Sequence, residues 1–175
     1  MYLQREVLDG DKMRKYDINY FLENEKTGAR YCKVGKSENC NYIKGGNFPY
    51  YQYAEKLIDF SNSTGQITFE DVHIVLNYLH YGDQLVILNF TKGFELMRNF
   101  ECFENPLNKG CYDSNQVFVE KVIDFSNPES IRYILDNIMD FNKFESIGLV
   151  AIERLKSMGY YDSANLLFKR LCTSL

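Results

Sequence analysis

The chain has 175 residues and a net charge of −4 at pH 7, enough length for one domain with a real core. Hydrophobic residues at 45% and charged residues at 25% exclude a disordered chain, and no apolar run approaches the ~18 residues that a membrane span needs. The five cysteines (Cys32, Cys40, Cys102, Cys111, Cys172) are odd in number and form no C-x-x-C pair, so neither a disulfide framework nor a zinc ribbon is expected and a reducing, cytoplasmic setting is.

Residues 1–15 are charged and lack the apolar stretch of a secretory signal. Residues 16–34 read as a β-hairpin, with 17–23 and 29–34 as strands around the loop Asn24-Glu25-Lys26-Thr27-Gly28. Residues 37–47, with Gly45-Gly46, read as a loop. From Pro49 the spacing becomes helical: Tyr50, Tyr53, Ala54, Leu57 and Ile58 recur at three and four residues. Residues 62–66 break that helix. Thr68 with Asp71 resembles a capping box opening a helix through Val72, Val75, Leu76 and Leu79, which Gly82-Asp83 stops.

Residues 85–90 (LVILNF) fit either a buried strand or the start of a helix through Phe100, and Gly93, which would sit badly inside a helix, favours the strand. Residues 105–114 form a loop. Residues 117–125 continue as helix, after which Asn127 caps a further helix with Pro128 at its first position and an apolar stripe of Ile131, Ile134, Leu135, Ile138 and Met139. A helix over 143–158 ends at Gly159. A last one, capped by Asp162 or Ser163, runs through Ala164, Leu167, Phe168 and Leu171, so a helical hairpin closes the chain.

The strongest non-random signal is an internal repeat. The octapeptide EKLIDFSN at 55–62 returns as EKVIDFSN at 120–127, with Leu57 exchanged for Val122. It points to an amphipathic helix used twice, each copy leading into a second helix as in helix-pair repeats. The expected fold is therefore α+β and mainly α: an N-terminal β-hairpin region over 1–48, then a helical region over 49–175, within one domain.

No constellation carries an enzymatic signature. His73 and His80, seven residues apart on one expected helix, would be separated by ~10.5 Å along its axis, too far to share an ion. The sequence Val34-Gly35-Lys36-Ser37 ends like a phosphate-binding loop, but that motif needs glycine where Arg30 stands. Cys32 and Cys40 flank a Lys-rich turn, which favours a thiolate, yet no nucleophile motif surrounds them. No cofactor or metal is expected.

Charge is distributed unevenly. Residues 95–140 hold nine acids against four bases, while residues 1–50 hold nine bases against seven acids. The first excess suggests an acidic helical face, with Glu120, Asp124, Glu129, Asp136 and Asp140 as partner-binding residues. The reading this favours is a small protein-binding inhibitor: an immunity-type protein that neutralises a toxin or nuclease, or a phage or viral inhibitor of a host factor. It would occlude a basic protein partner. The alternative is a nucleic-acid-binding regulator using the basic, aromatic segment 26–48, with Arg30, Lys33, Lys36, Tyr42 and Lys44. An acidic pI near 5.3 speaks against that alternative. An enzyme with a dispersed active site is the third class.

Overall fold

In residues 116–124 (QVFVEKVID), valines and isoleucine stand among polar residues, a composition that fits a pleated, half-buried surface. This stretch is the longest strand of an eight-stranded sheet in which every neighbouring pair is antiparallel. The computed structural model describes residues 13–38, 40 and 48–173. In chain order its elements are β1 (Arg14–Tyr16), α1 (Ile18–Lys26), β2 (Tyr31–Gly35), β3 (Lys56–Asp59), β4 (Ile67–Asp71), β5 (Gln84–Leu88) and α2 (Phe90–Gly93). There follow β6 (Cys102–Glu104), β7 (Cys111–Ser114), β8 (Gln116–Asp124), α3 (Glu129–Asn137), α4 (Phe141–Ser157) and α5 (Tyr161–Thr173). Two 3-10 helices, Tyr50–Tyr53 and Val75–Tyr81, lie between strands.

The strand order is β1-β6-β7-β4-β2-β5-β8-β3. Successive residues of a strand point to opposite faces, and the sheet has a core on each. One side carries Cys32, Val34, Leu85, Ile87 and Ile123, packed against the 3-10 helix Val75–Tyr81 and α3 to α5. The other carries Tyr31, Phe69, Val86, Leu88 and Val119 with α1 and α2, and is dominated by aromatics. There Phe21 of α1 is fully buried and stacks on Phe90 at 4.6 Å. Offset and edge contacts of this kind add to the area term.

The mainly helical expectation is overturned by this sheet, which takes strands from both sides of residue 48. Both octapeptide copies are strand, not helix. The first lies in β3, at the sheet edge; the second forms the end of β8 and the turn after it. Their apolar residues satisfy the helical period by coincidence, whereas Ile58, Ile123 and Phe125 are buried and Asp59 and Asp124 exposed, the two-residue alternation of a strand. The copies form no equivalent units: the first leads into β4 and the second into α3. The expected first hairpin strand is α1, because the Asp17 side chain accepts from the Tyr20 N–H and caps a helix. Thr68 caps nothing. It sits within β4 and donates to Asp113 across to β7.

Several expectations stand. Of residues 85–90, 85–88 fall in β5, whereas Asn89 caps α2, the short helix in which Gly93 lies. The Asn127 side chain accepts from the Glu129 N–H at the start of α3. Gly159 adopts φ +85 between α4 and α5, the conformation that ends a helix on glycine. The two helices form the closing hairpin, and Ser163, buried in it, donates to the Phe125 carbonyl and ties α5 to the sheet.

Candidate functional site

Strand β2 pairs with β4 only through Tyr31↔Asp71 and Cys32↔Glu70. From Lys33 to Gly35 it stays with β5 and leaves β4, so the two strands part. A cleft of about 400 Å³ opens where they separate. Its floor comes from β4 and β7, where Thr68 faces Asp113 and Glu70 faces Cys111, all on one side of the sheet because paired residues share a face. Tyr78 and Tyr81 wall it from the 3-10 helix, Tyr50 from the segment before β3, and Asn105 and Asn108 from the loop before β7.

Lys33 and Lys36 line the cleft from β2 and the residues after it. The Lys33 ammonium stands over the Tyr50 ring, 5.0 Å from its centre, an attractive arrangement for a cation. Gly35 lets that ring come close: a Cβ there would meet Val86 Cγ2 at 2.9 Å and Tyr50 Cδ2 at 3.0 Å. The chain leaving the cleft is held by Asp83, whose carboxylate accepts from the Ser37 N–H at 2.8 Å and from its hydroxyl.

Glu70 is the unusual group. It is 3% exposed yet lines the cleft, and among the described residues no hydrogen bond or ion pair reaches its carboxyl. Burial pushes its pKa up to about 8; Lys33 pulls it down and Asp113 pushes it up further. The side chain is therefore a neutral acid at pH 7, with an O–H to donate and a carbonyl oxygen to accept. Cys111 beside it is a thiol rather than a thiolate, pushed up to about 11 chiefly by burial, and it shares a hydrogen bond with the Tyr78 hydroxyl. Such a thiol is a poor nucleophile. The cleft as a whole presents two ammonium groups, one neutral acid, one carboxylate, amides and aromatic rings.

The residues singled out by sequence fall in different places. Lys33 and Lys36 line the cleft, but Arg30 turns back, donating to the Glu25 and Ala29 carbonyls at 3.1 and 2.7 Å. Tyr42 and Lys44 lie outside the described residues, as does most of the 37–47 loop. The five acids do not form one ridge. Asp124 sits opposite Gln84, on the aromatic side of the sheet, and accepts from its amide at 2.9 Å. Glu120 accepts from Asn89 beside α2. Glu129 is paired with Arg132, and Asp140 caps α4 by accepting from the Lys143 N–H. Asp136 is exposed on α3, in a groove it shares with Arg132, Lys169 and Arg170.

His73 is 4% exposed and has a structural task. Its Nε2 accepts from the Met139 and Asp140 N–H groups at 2.9 and 3.0 Å, which puts the ring proton on Nδ1, 2.6 Å from Asp71. Burial pushes the Asp71 carboxyl up, but its bonds to His73 outweigh that and hold it below its ordinary value. His80 stacks with Tyr81 instead. Among the described residues no three His, Cys, Asp or Glu side chains converge to hold a metal, and no helix is long and apolar enough to cross a membrane.

Sequence reading missed Glu70, Asp113, Cys111 and the three tyrosines. One signal was available: ITFED at 67–71 alternates, placing Thr68 and Glu70 on the face opposite Ile67 and Phe69. Compared with known proteins, the chain matches no family model, no curated protein and no solved structure.

Proposed function

We propose that this is a binding protein whose working surface is the cleft between β2 and β4, and that it takes a small ligand rich in hydrogen-bond acceptors and carrying negative charge. One observation carries the reading: the Glu70 carboxyl, 3% exposed and with no hydrogen bond or ion pair among the described residues, lines a cavity of about 400 Å³. A carboxyl so placed has hydrogen-bonding capacity left for a group that enters the cleft. The lining offers an anion the Lys33 ammonium, which lies over the Tyr50 ring and has no ion pair among the described residues. Catalysis by Cys111 does not fit its protonated state. The cavity lies in the size range of small-ligand sites.

The test is a thermal-unfolding screen of small carboxylates, phosphates and neutral polar compounds. Some anionic compounds should raise Tm for the native protein and lose that effect in Lys33→Ala and Glu70→Leu. If no compound shifts Tm, or if both variants respond as the native protein does, the cleft is not the site.

A basic protein partner is the second reading, as for an inhibitor or immunity-type protein working in a reducing cytoplasm. Its support is the exposure of Asp136 near the end of α3 and of Asp140 at the start of α4, with exposed Met139 beside them. Capture of a basic protein that survives Glu70→Leu but is lost in Asp136→Lys with Asp140→Lys would favour it over the cleft.

A further inference from the structure

Resting on the cleft as a ligand site, we infer that its occupant is the carboxy-terminal end of an extended peptide, seated between β2 and β4 as a short added strand. The backbone carries this first. The Val72 N–H donates to the Arg30 carbonyl at 2.9 Å, and the Asp71 N–H to the Gly110 carbonyl at 2.8 Å. Successive residues of a strand aim their backbone groups at opposite edges. Arg30, Cys32 and Val34 therefore turn their N–H and C=O groups toward β4, and Val72, Glu70 and Thr68 turn theirs toward β2. Pairing between the two strands ends at Cys32↔Glu70. Val34 and Thr68 lie one step further along, and both line the cleft. Two facing edges are thus open to a peptide backbone, as when an extended chain adds to a sheet.

The cleft also passes through the sheet. Lys33 stands on the aromatic side, where its partner Val86 is buried, and Glu70 on the helical side, where its partner Cys32 is buried. Both line the one space, with Tyr50 beside Lys33 and with Tyr78 and Tyr81 of the 3-10 helix. Side chains of an inserted strand point alternately to the two faces, so one meets Tyr50 and the next meets Tyr78 and Tyr81.

Closure and charge choose which part of a peptide enters. A strand cannot run on past the Cys32–Glu70 pair, so a chain terminus fits where a continuous chain does not. The Lys33 ammonium, 5.0 Å from the centre of the Tyr50 ring and without an ion pair among the described residues, matches the carboxylate that ends a peptide. Of the two acids in the lining, Glu70 is kept neutral by burial, and Asp113 already accepts from the Thr68 hydroxyl at 2.6 Å.

The experiment is isothermal titration of the full chain with a positional set of N-acetylated tripeptides that varies the last two residues. Each is offered as the free acid and as the amide, with acetate and inorganic phosphate beside them. At least one acid should bind saturably, at least tenfold tighter than its amide, acetate or phosphate. Lys33→Met, which keeps the side-chain stem over Tyr50, should bring that acid down to the affinity of its amide. Methylating the peptide nitrogens one at a time should weaken binding at least tenfold at one position, because an added strand donates to the sheet edge. The same three residues ending a flexible tail on a carrier protein separate the sources. Equal affinity there would identify a protein terminus, and binding of the free tripeptide alone would identify a short peptide. Equal binding of acid and amide, or indifference to every methylation, would overturn the inference. Acetate or phosphate binding as tightly as any peptide would overturn it and leave the cleft a small-anion site. No binding by any probe, in a protein shown folded by circular dichroism, would overturn both.

Discussion

Replacing Glu70 by Gln should stabilise the protein in a way that grows with pH. The unfolded chain releases this proton near 4.5, the folded protein near 8. Between those values the folded state binds one more proton than the unfolded state, so stability falls as pH rises, by about 1.4 kcal/mol per pH unit. The full interval is worth about 5 kcal/mol, with about 3 kcal/mol already lost at pH 7. Below pH 4.5 both states are protonated and nothing is lost; above 8 both are ionised and the loss is complete. Gln cannot ionise and preserves the shape and polarity of the neutral acid. Urea unfolding of both proteins at pH 5, 6, 7, 8 and 9 isolates this one group, because every other titrating side chain is common to the pair. The two stabilities should nearly coincide at pH 5 and diverge in favour of Glu70→Gln up to pH 8, then run parallel. A difference that stays constant from pH 5 to pH 9 would show that the carboxyl ionises at its ordinary pH in the folded protein, and the electrostatic account of the cleft would fail with it.

Four further outcomes follow from the packing. His73→Ala leaves the Met139 and Asp140 N–H groups and the Asp71 carboxylate without their partner, and should cost about 2–4 kcal/mol in urea unfolding. Glu25→Ala removes the carboxylate that accepts from the Phe90 and Thr91 N–H groups at the start of α2, and should cost about 1–2 kcal/mol by the same assay. Gly93→Ala places a methyl 2.2 Å from Phe118 Cβ, an atom that cannot swing aside, and should lower stability by about 2–3 kcal/mol. Gly159→Ala meets nothing within 4 Å but forces alanine into φ +85, and should cost only about 1 kcal/mol, so thermal scans should rank the two glycines clearly.

What was legible in the chain is what local chemistry decides. The Asn127-Pro128 helix start and the Gly159 stop are set by residues within a turn or two of each other and appear where the sequence puts them, while the run at 85–90 is strand only as far as Leu88 and then turns into α2. The octapeptide was misread because eight residues satisfy two periods at once. Leu57, Ile58 and Phe60 match a helical spacing, and only alternating burial along the backbone separates the strand. Nor does identity of sequence fix equivalence of role. The first copy pairs on one side only, at the sheet edge, and its Phe60 is half-buried; β8 is held between β5 and β3, and Phe125, the counterpart of Phe60 in the second copy, is fully buried.

The cleft illustrates a deeper limit. It exists because β2 stops pairing with β4 after Cys32 and continues along β5, a choice of register between strands drawn from residues 31–35, 67–71 and 84–88. Nothing local in Tyr31–Gly35 marks that divergence, and nothing local in Glu70 marks it as buried. The raised pKa, the pull of Lys33 on it and the aromatic walls are all consequences of which strand lies beside which. Lys33 and Lys36 were picked out for a nearby run of basic and aromatic residues, yet the rings around them in the cleft are Tyr50, Tyr78 and Tyr81. Of the interleaved aromatics, Tyr31 is spent in the opposite core. Sequence proximity thus picked out two cations that line the cleft, among aromatic neighbours other than those it named. The acids that share the cleft with them, Glu70 and Asp113, come from β4 and β7, far apart in the chain and joined only by strand pairing.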